Sequence, residues 1–150
     1  MTLPIKIRRA LPADAASLTA IWEAIVNEKS YSAVDRPFSI ESEREYLQSM
    51  SSREALFLAE TSEQQVIGFQ SLEQWTKLFH SMDHVGQLGT FVLAFARSVR
   101  YEKLVIFVRA RNTGAQMFYE RLGFVPCGRL CRQVKISDEY DDEIMMEMVL

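Results

Sequence analysis

The stretch that most constrains the fold of this chain is KLVIFVRARNTGAQMFYERLGFVPCG, from Lys103 to Gly128. It begins with an apolar, β-rich run, Leu104 to Val108, of the length expected for a strand buried on both faces. Asn112 offers a short oxygen-bearing side chain where a helix would begin, and Gly123 stands where a left-handed residue would end it. A second strand starts at Phe124. The stretch therefore predicts a strand, a helix and a strand on which the other elements pack.

The helix in this stretch would carry one apolar stripe. Its members follow at i, i+3, i+4 and i+7: Ala115, Phe118, Tyr119 and Leu122. The residue types alone favour a core role for Tyr119 over a functional one. Asn112 is equally compatible with a helix cap and with a ligand contact, and the two roles can coexist.

The remaining sequence predicts a mixed α/β structure (an α+β mixed sheet). Apolar runs predict further strands at Ile5–Arg8, Ala55–Glu60, Val66–Leu72, His84–Leu93, Arg129–Ile136 and Glu143–Val149. Helices are predicted to begin near Pro12, after the N-cap Ser39 and over Ala94–Tyr101. The order is strand, two helices, three strands, helix, strand, helix, two strands, which predicts a late parallel crossover.

Composition narrows the class of function. The 150 residues fit one domain, 1–150, and the formal net charge of −3 gives little support to nucleic-acid binding. No apolar run approaches the roughly 20 residues of a membrane span, so no membrane partner is expected. Cys127 and Cys131 would lie roughly 13 Å apart in an extended strand, too far for a mutual disulfide. A reduced, cytoplasmic setting is the simplest interpretation.

The motif from Val108 to Asn112, with Ala115, Phe118-Tyr119 and Leu122-Gly123-Phe124, resembles the late motif of the GCN5-related N-acetyltransferases. The resemblance covers nearly the whole chain in element order. It implies an acyl-CoA N-acyltransferase-like fold, a central splayed mixed sheet flanked by helices. It also implies an N-acetyltransferase that uses acetyl-CoA as co-substrate and no metal. The acceptor would be a small-molecule amine or a peptide N-terminus, and a homodimer is compatible with the sequence.

The resemblance further implies a site. Asn112 would touch the pantetheine or acyl end of the cofactor, and Ala115 would lie in the same site. Tyr119 would bind there and act as general acid on the departing thiolate. Backbone groups would line the cofactor where the fourth strand splays from the fifth, at Phe91, Val92 and Leu93. Such groups can stabilise an oxyanion, and an amine with a pKa of about 10 must lose a proton before it attacks.

The sequence leaves the general base open. The candidates are equally compatible with solvated or strand-end positions: Glu28, Glu60, Glu73, Asp83 and His84. Where relatives often carry a glutamate, this chain has Gln87, which cannot accept the proton but can orient a water. The predicted acidic turn Ser137–Asp142 either attracts a cationic acceptor or is a solvated turn.

One feature of the family is absent from the sequence. Members carry a Gln/Arg-x-x-Gly-x-Gly/Ala loop after the fourth strand, and its N–H groups bind the coenzyme A pyrophosphate. Here Leu93 is followed directly by Ala94, and no glycine lies from Ala94 to Glu102. A parallel crossover usually needs at least about 10–12 residues. Either one to two dozen further residues belong at this point, or the phosphate cradle is lost. The second explanation favours another function, a non-catalytic binding or regulatory module with this fold.

Overall fold

The structure is a computed structural model that describes residues 4–28, 32, 34–78, 80–88, 93–136 and 138–150. Its strands are β1 (Lys6–Arg9), β2 (Ala55–Glu60), β3 (Val66–Gln74), β4 (Val85–Leu88), β5 (Lys103–Arg109), β6 (Val125–Ile136) and β7 (Glu139–Val149). Its α-helices are α1 (Ala15–Glu28), α2 (Ile40–Ser49), α3 (Leu93–Ser98) and α4 (Thr113–Arg121). Single 3₁₀ turns occur at Pro12–Asp14 and His80–Met82. The predicted order of strands and α-helices is confirmed.

The seven strands form one mixed sheet in the order β1-β2-β3-β4-β5-β7-β6. All neighbouring strands are antiparallel except β4 and β5, which pair in parallel from Val85 opposite Lys103 to Gln87 opposite Val105. The predicted mixed α/β fold with one late parallel crossover is therefore confirmed.

Helices cover both faces of the sheet. Side chains alternate along β2, so Leu56 and Leu58 point to the face where Leu18 of α1 and Leu47 of α2 pack. Phe57 points to the other face and meets Phe95 of α3 with ring centroids 5.7 Å apart. The helices α3 and α4 share that second face. The α1/α2 face and the α3/α4 face are thus two separate layers of the core.

The β5–α4–β6 unit forms as predicted. The Asn112 side chain caps α4, because its Oδ1 accepts a hydrogen bond from the Ala115 N–H at 3.0 Å. Gly123 has a φ of +99°, a conformation that favours glycine. Ala115, Tyr119 and Leu122 pack against the core that β5 contributes. Phe118, the fourth member of the predicted stripe, is 40% exposed.

The strand predicted over His84–Leu93 is too long. β4 ends at Leu88, and Leu93 is the first residue of α3, where its side chain packs on the core. The described helix has six residues and contains both Leu93 and Ala94.

The turn predicted over Ser137–Asp142 is also wrong in extent. β7 begins at Glu139, which pairs with Ile136, and position 137 lies outside the described residues. The acidic side chains are paired within the strand, Asp141 with Arg109 and Asp142 with Arg129. Neither interpretation of an acidic solvent-facing turn therefore applies to these two aspartates.

Candidate functional site

The pairing of β5 differs on its two sides. The described ladder with β4 ends at Gln87 opposite Val105, whereas β5 stays paired with β7 as far as Arg109. On the β4 side, the backbone from Ile106 to Arg109 has no ladder partner among the residues that the structure describes. The predicted splay of the fourth strand falls at residues 89–92, which lie outside the described residues.

A cavity of about 260 Å³, here the β5 cavity, lies at this end of β5. Its walls are the end of β5, the start of α4 and two neighbouring residues: Ser32, Phe107, Val108, Arg109, Asn112, Ala115, Tyr119 and Glu143. The structure therefore brings together Asn112, Ala115 and Tyr119, three of the residues singled out in the sequence.

The side-chain oxygen of Asn112 is engaged in a hydrogen bond with a described residue, whereas its side-chain nitrogen is not. Its Oδ1 accepts from the Ala115 N–H at 3.0 Å, and its own backbone N–H donates to the Arg109 carbonyl at 2.9 Å. The side-chain amide nitrogen makes no hydrogen bond to any described residue. Capping and ligand binding are therefore compatible, since the oxygen serves the helix and the nitrogen remains a donor.

Tyr119 lies between the core and the β5 cavity. Its ring meets Phe118 and Phe124 at centroid distances of 5.4 and 5.7 Å. Its hydroxyl makes no hydrogen bond within the described part of the chain, although the residue lines the cavity. The ring thus fills the core, while the hydroxyl is left to donate to a ligand.

A buried ion pair fixes the end of β5. Arg109, which is 4% exposed, donates from Nε to Asp141 Oδ2 at 2.8 Å, and Arg111 contacts the same oxygen at 3.0 Å. Gln116 Nε2 donates to the carbonyls of Arg109 and Ala110 at 3.3 and 2.9 Å. These bonds hold the turn that leads from β5 into α4. No local sequence pattern predicts this pair, because 32 positions separate Arg109 from Asp141.

The other end of the predicted cofactor site differs from expectation. Phe91 and Val92 lie outside the described residues, and Leu93 is helical instead of forming a strand end. No glycine lies from Ala94 to Glu102, and α3 has only six residues. The described residues fit the pantetheine and acyl parts of acetyl-CoA, but they do not fit its pyrophosphate.

The candidate bases are dispersed over the molecule. Glu60 pairs with Arg8 at the edge of the sheet, Asp83 lies 3.4 Å from His80, and both Glu28 and His84 are exposed at the ends of their segments. Glu73 differs, because it is opposite Gln87 in the β3–β4 ladder and so shares its face of the sheet. On that face Trp75 of β3's end stacks on Phe107 of β5 at 5.8 Å. Glu73 therefore lies on the same face of the sheet as Phe107, a residue that lines the β5 cavity.

A second and larger cavity, about 500 Å³, lies between α1, α2 and the sheet and is here called the aromatic cavity. Its lining residues are Trp22, Val34, Phe38, Ser42, Glu43, Tyr46, Leu56, Phe69, Ser71 and Glu73. The Tyr46 hydroxyl donates to Glu73 Oε1 at 2.5 Å. Burial and this bond to a carboxylate raise the pKa of Tyr46, so the hydroxyl keeps its proton.

Glu43 was not singled out as a site residue. The sequence placed it in the first turn of α2, and the structure confirms that position while burying the side chain to 5% exposure. Burial raises the pKa of the Glu43 carboxyl, and a hydrogen bond from Trp22 opposes that shift. Leu47, four residues on, is also buried, so the i, i+4 spacing was the available signal for an inward-facing acid.

The described ranges contain no group of three or more His, Cys, Asp or Glu side chains that could hold a metal ion. None of their helices combines the length and the apolar character needed to cross a membrane. Cys127 and Cys131 are both exposed and free.

Comparison with solved structures identifies the fold of this chain, whereas comparison of sequences finds no match. No protein-family model matches the sequence, and no curated protein matches it. A ribosomal-protein-alanine N-acetyltransferase from Brucella melitensis superposes with a TM-score of 0.87 at 20% identity, covering 97% of this chain and 99% of that one. A GNAT-family acetyltransferase from Streptococcus pneumoniae gives 0.83 at 22% identity, covering 98% and 100%.

A third solved structure carries a ligand. It is described as an acetyltransferase from Salmonella typhimurium with its cofactor acetyl-CoA, and its TM-score is 0.86 at 17% identity, covering 98% of this chain and 94% of that one. Likeness at such low identity defines the fold. This chain therefore has the fold of the GCN5-related N-acetyltransferases, as its late motif predicted.

Proposed function

We propose that this protein is an N-acetyltransferase that moves an acetyl group from acetyl-CoA to a primary amine by direct attack. The observation that carries the proposal is the β5 cavity. It lies at the end of β5, and Asn112, Ala115 and Tyr119 line it in a chain with an acetyltransferase fold. The acceptor class at this level is a small-molecule amine or a peptide N-terminus.

The backbone of β5 beyond Val105 would hold the pantetheine arm. Backbone groups between Ile106 and Arg109, which have no ladder partner on the β4 side among the described residues, would bond to the amides of an extended chain, as in strand addition. The Asn112 side-chain nitrogen would be a further donor beside them. No glycine lies from Ala94 to Glu102, so the affinity would come from the arm and the acyl group.

The thioester supplies an activated acyl group, so the protein would need only to donate a proton to the leaving thiolate and to accept one from the amine. Tyr119 Oη would donate its proton to the sulfur of the departing thiol, a role for which a hydroxyl against the sulfur is suited. Glu73 would accept the proton of the amine, directly or through a water oriented by Gln87. Its carboxylate is fixed for that purpose by the Tyr46 hydroxyl.

A second candidate function is a non-catalytic binding or regulatory module. The short α3 favours it, because this helix has six residues and no glycine lies from Ala94 to Glu102. Gln87 favours it too, since an amide cannot act as a base.

Calorimetry with acetyl-CoA and a panel of primary amines separates the two functions. Acetylated product should be followed by mass spectrometry, because the exposed Cys127 and Cys131 would react with thiol reagents. An enzyme forms product that depends on both substrates. The absence of product with every amine, together with no binding at high micromolar acetyl-CoA, would leave the non-catalytic module.

A further inference from the structure

The aromatic cavity has walls suited to an apolar ligand. The Trp22 ring meets Phe38 at a centroid distance of 5.3 Å and Phe69 at 5.1 Å, and Leu56 and Val34 complete the apolar part. A cavity of about 500 Å³ is within the usual range for small-molecule sites. Its shape and chemistry therefore fit the body of a small organic molecule.

One acid is buried in this cavity without a cationic partner. Glu43 is 5% exposed, whereas Glu41, two residues earlier, has a side chain that is 69% exposed and bonds to Arg44. The hydrogen bond that Glu43 receives comes from Trp22. No lysine or arginine lines the cavity in the described part of the chain. Buried carboxylates are usually paired, so this one lacks its usual counterion.

A second acid faces the cavity from the opposite wall. Glu43 projects from α2 and Glu73 from β3, and both bear on the Tyr46 hydroxyl, whose pKa each of them raises. Tyr46 donates its single proton to Glu73, and no described lysine or arginine lines the cavity beside either acid. Two carboxyls among aromatic rings form a binding environment for a cation.

We propose that the aromatic cavity binds an organic cation, an ammonium group on an apolar body, with Glu43 and Glu73 around the charge and Trp22 and Phe38 around the body. The identification of this cation as the acceptor rests on the proposed acyl transfer. The acceptors would then be hydrophobic amines, and acidic amino acids would be disfavoured because no lysine or arginine lines the cavity among the residues that the structure describes.

Glu73 and Tyr119 together would accept and donate the protons of the acyl-transfer step. An amine held at Glu73 lies one strand away from β5, since β4 alone separates β3 from β5. One ammonium proton passes to the Glu73 carboxylate, and the neutral nitrogen forms the bond to the acyl carbon. The carbon–sulfur bond breaks, and the sulfur takes the proton of Tyr119. The nitrogen then gives its second proton to the Tyr119 phenolate, and Glu73 releases the first proton to solvent.

Tryptophan fluorescence can report on this cavity in the absence of acetyl-CoA. The chain has two tryptophans, so Trp75→Phe leaves Trp22 as the single reporter, inside the cavity. Phenethylamine is the cationic probe, and phenethyl alcohol is its neutral isostere. We expect saturable binding of the amine at least about tenfold tighter than that of the alcohol, the effect of a charge-assisted hydrogen bond.

Glu43→Gln then tests the buried acid. The amine should lose at least about tenfold in affinity and its preference over the alcohol should fall towards one. Glu41→Gln, on the same helix turn but outside the cavity, should change neither value. Equal binding of amine and alcohol, no binding of either, or a preference that survives Glu43→Gln would overturn the proposal.

Folding of the variant is not expected to obscure the result. Because the pKa of Glu43 is raised in the folded protein, its contribution to stability falls as the pH rises above the unfolded value, so the glutamine should not lower Tm at pH 7. The amine-over-alcohol preference is measured with Glu43 intact and decides the matter even if Glu43→Gln unfolds. If phenethylamine binds but no acetylated product forms, the proposed acetyl transfer is wrong and the cation site stands. If amines that do not displace phenethylamine are acetylated, the aromatic cavity is not the acceptor site.

Discussion

Two strand-to-helix junctions lie next to each other in this sheet, and they differ in helix length and in the site beside them. The parallel strands β4 and β5 end at the same edge. β5 leads through the cap Asn112 into the nine-residue α4, beside a cavity of about 260 Å³. β4 leads to the six-residue α3, with no glycine from Ala94 to Glu102.

We infer from this difference that the two halves of a coenzyme A site are separable in this chain. The acyl half would depend on the β5–α4 unit, with its cap and the Arg109–Asp141 pair. The phosphate half would depend on a glycine loop, and no glycine lies from Ala94 to Glu102. We therefore expect a site that recognises the arm of the cofactor and ignores its phosphates.

Tyr119→Phe should have the largest effect on the β5 junction. The change removes a hydroxyl that bonds to no described residue, so the stability should be preserved while kcat falls by about 10²- to 10⁴-fold, the usual contribution of general acid catalysis. Steady-state kinetics and thermal unfolding measure the two effects. The control is Tyr101→Phe, which removes a buried, unbonded hydroxyl outside the β5 cavity. An unchanged kcat in Tyr119→Phe would remove its catalytic role.

Asp141→Ala should have the largest effect on stability. It removes the buried carboxylate that Arg109 and Arg111 share, at a cost of about 3 kcal/mol in the free energy of unfolding. Urea denaturation measures the loss. Glu139→Ala, whose exposed carboxylate lies 3.5 Å from Arg111, is the matched control and should cost below about 1 kcal/mol. Equal losses in the two variants would show that the buried pair does not fix the end of β5.

Asn112 allows the cap and the ligand contact to be separated. Asn112→Ala should lose about 1 kcal/mol of stability with the cap. Asn112→Asp keeps an oxygen for the Ala115 N–H but loses the side-chain nitrogen, so it should fold normally and bind acetyl-CoA about five- to tenfold more weakly. Unfolding and calorimetry on both variants provide the readout. Undiminished binding in Asn112→Asp would limit this residue to capping.

Local sequence signals predicted the β5–α4–β6 unit. The strand ends that were predicted wrongly depend on contacts between distant parts of the chain. The apolar run, the cap at Asn112 and the glycine at Gly123 act within one segment, so they are visible in sequence. The end of β4 and the start of β7 depend on pairing with distant strands. Asp141 belongs to a strand because it meets Arg109, and no local pattern shows that contact.

The same reasoning applies to the candidate site. Asn112 and Tyr119 belong to one helix, and their motif places them together. The aromatic cavity collects Trp22 from α1, Phe69 from β3 and Glu43 from α2, and it exists only once these elements pack. The sequence showed an acid in the first turn of a helix, whereas only the fold shows that this acid is buried.

The most direct test compares the binding of acetyl-CoA with that of S-acetylpantetheine, which keeps the arm and acyl group but lacks the nucleotide and its phosphates. Competition calorimetry on the unmodified protein gives both Kd values. A phosphate cradle with two charge-assisted hydrogen bonds would favour acetyl-CoA by about 100-fold or more. We predict Kd values within about threefold of each other. A preference of about 100-fold for acetyl-CoA, or no binding of either compound, would contradict a site built for the arm alone.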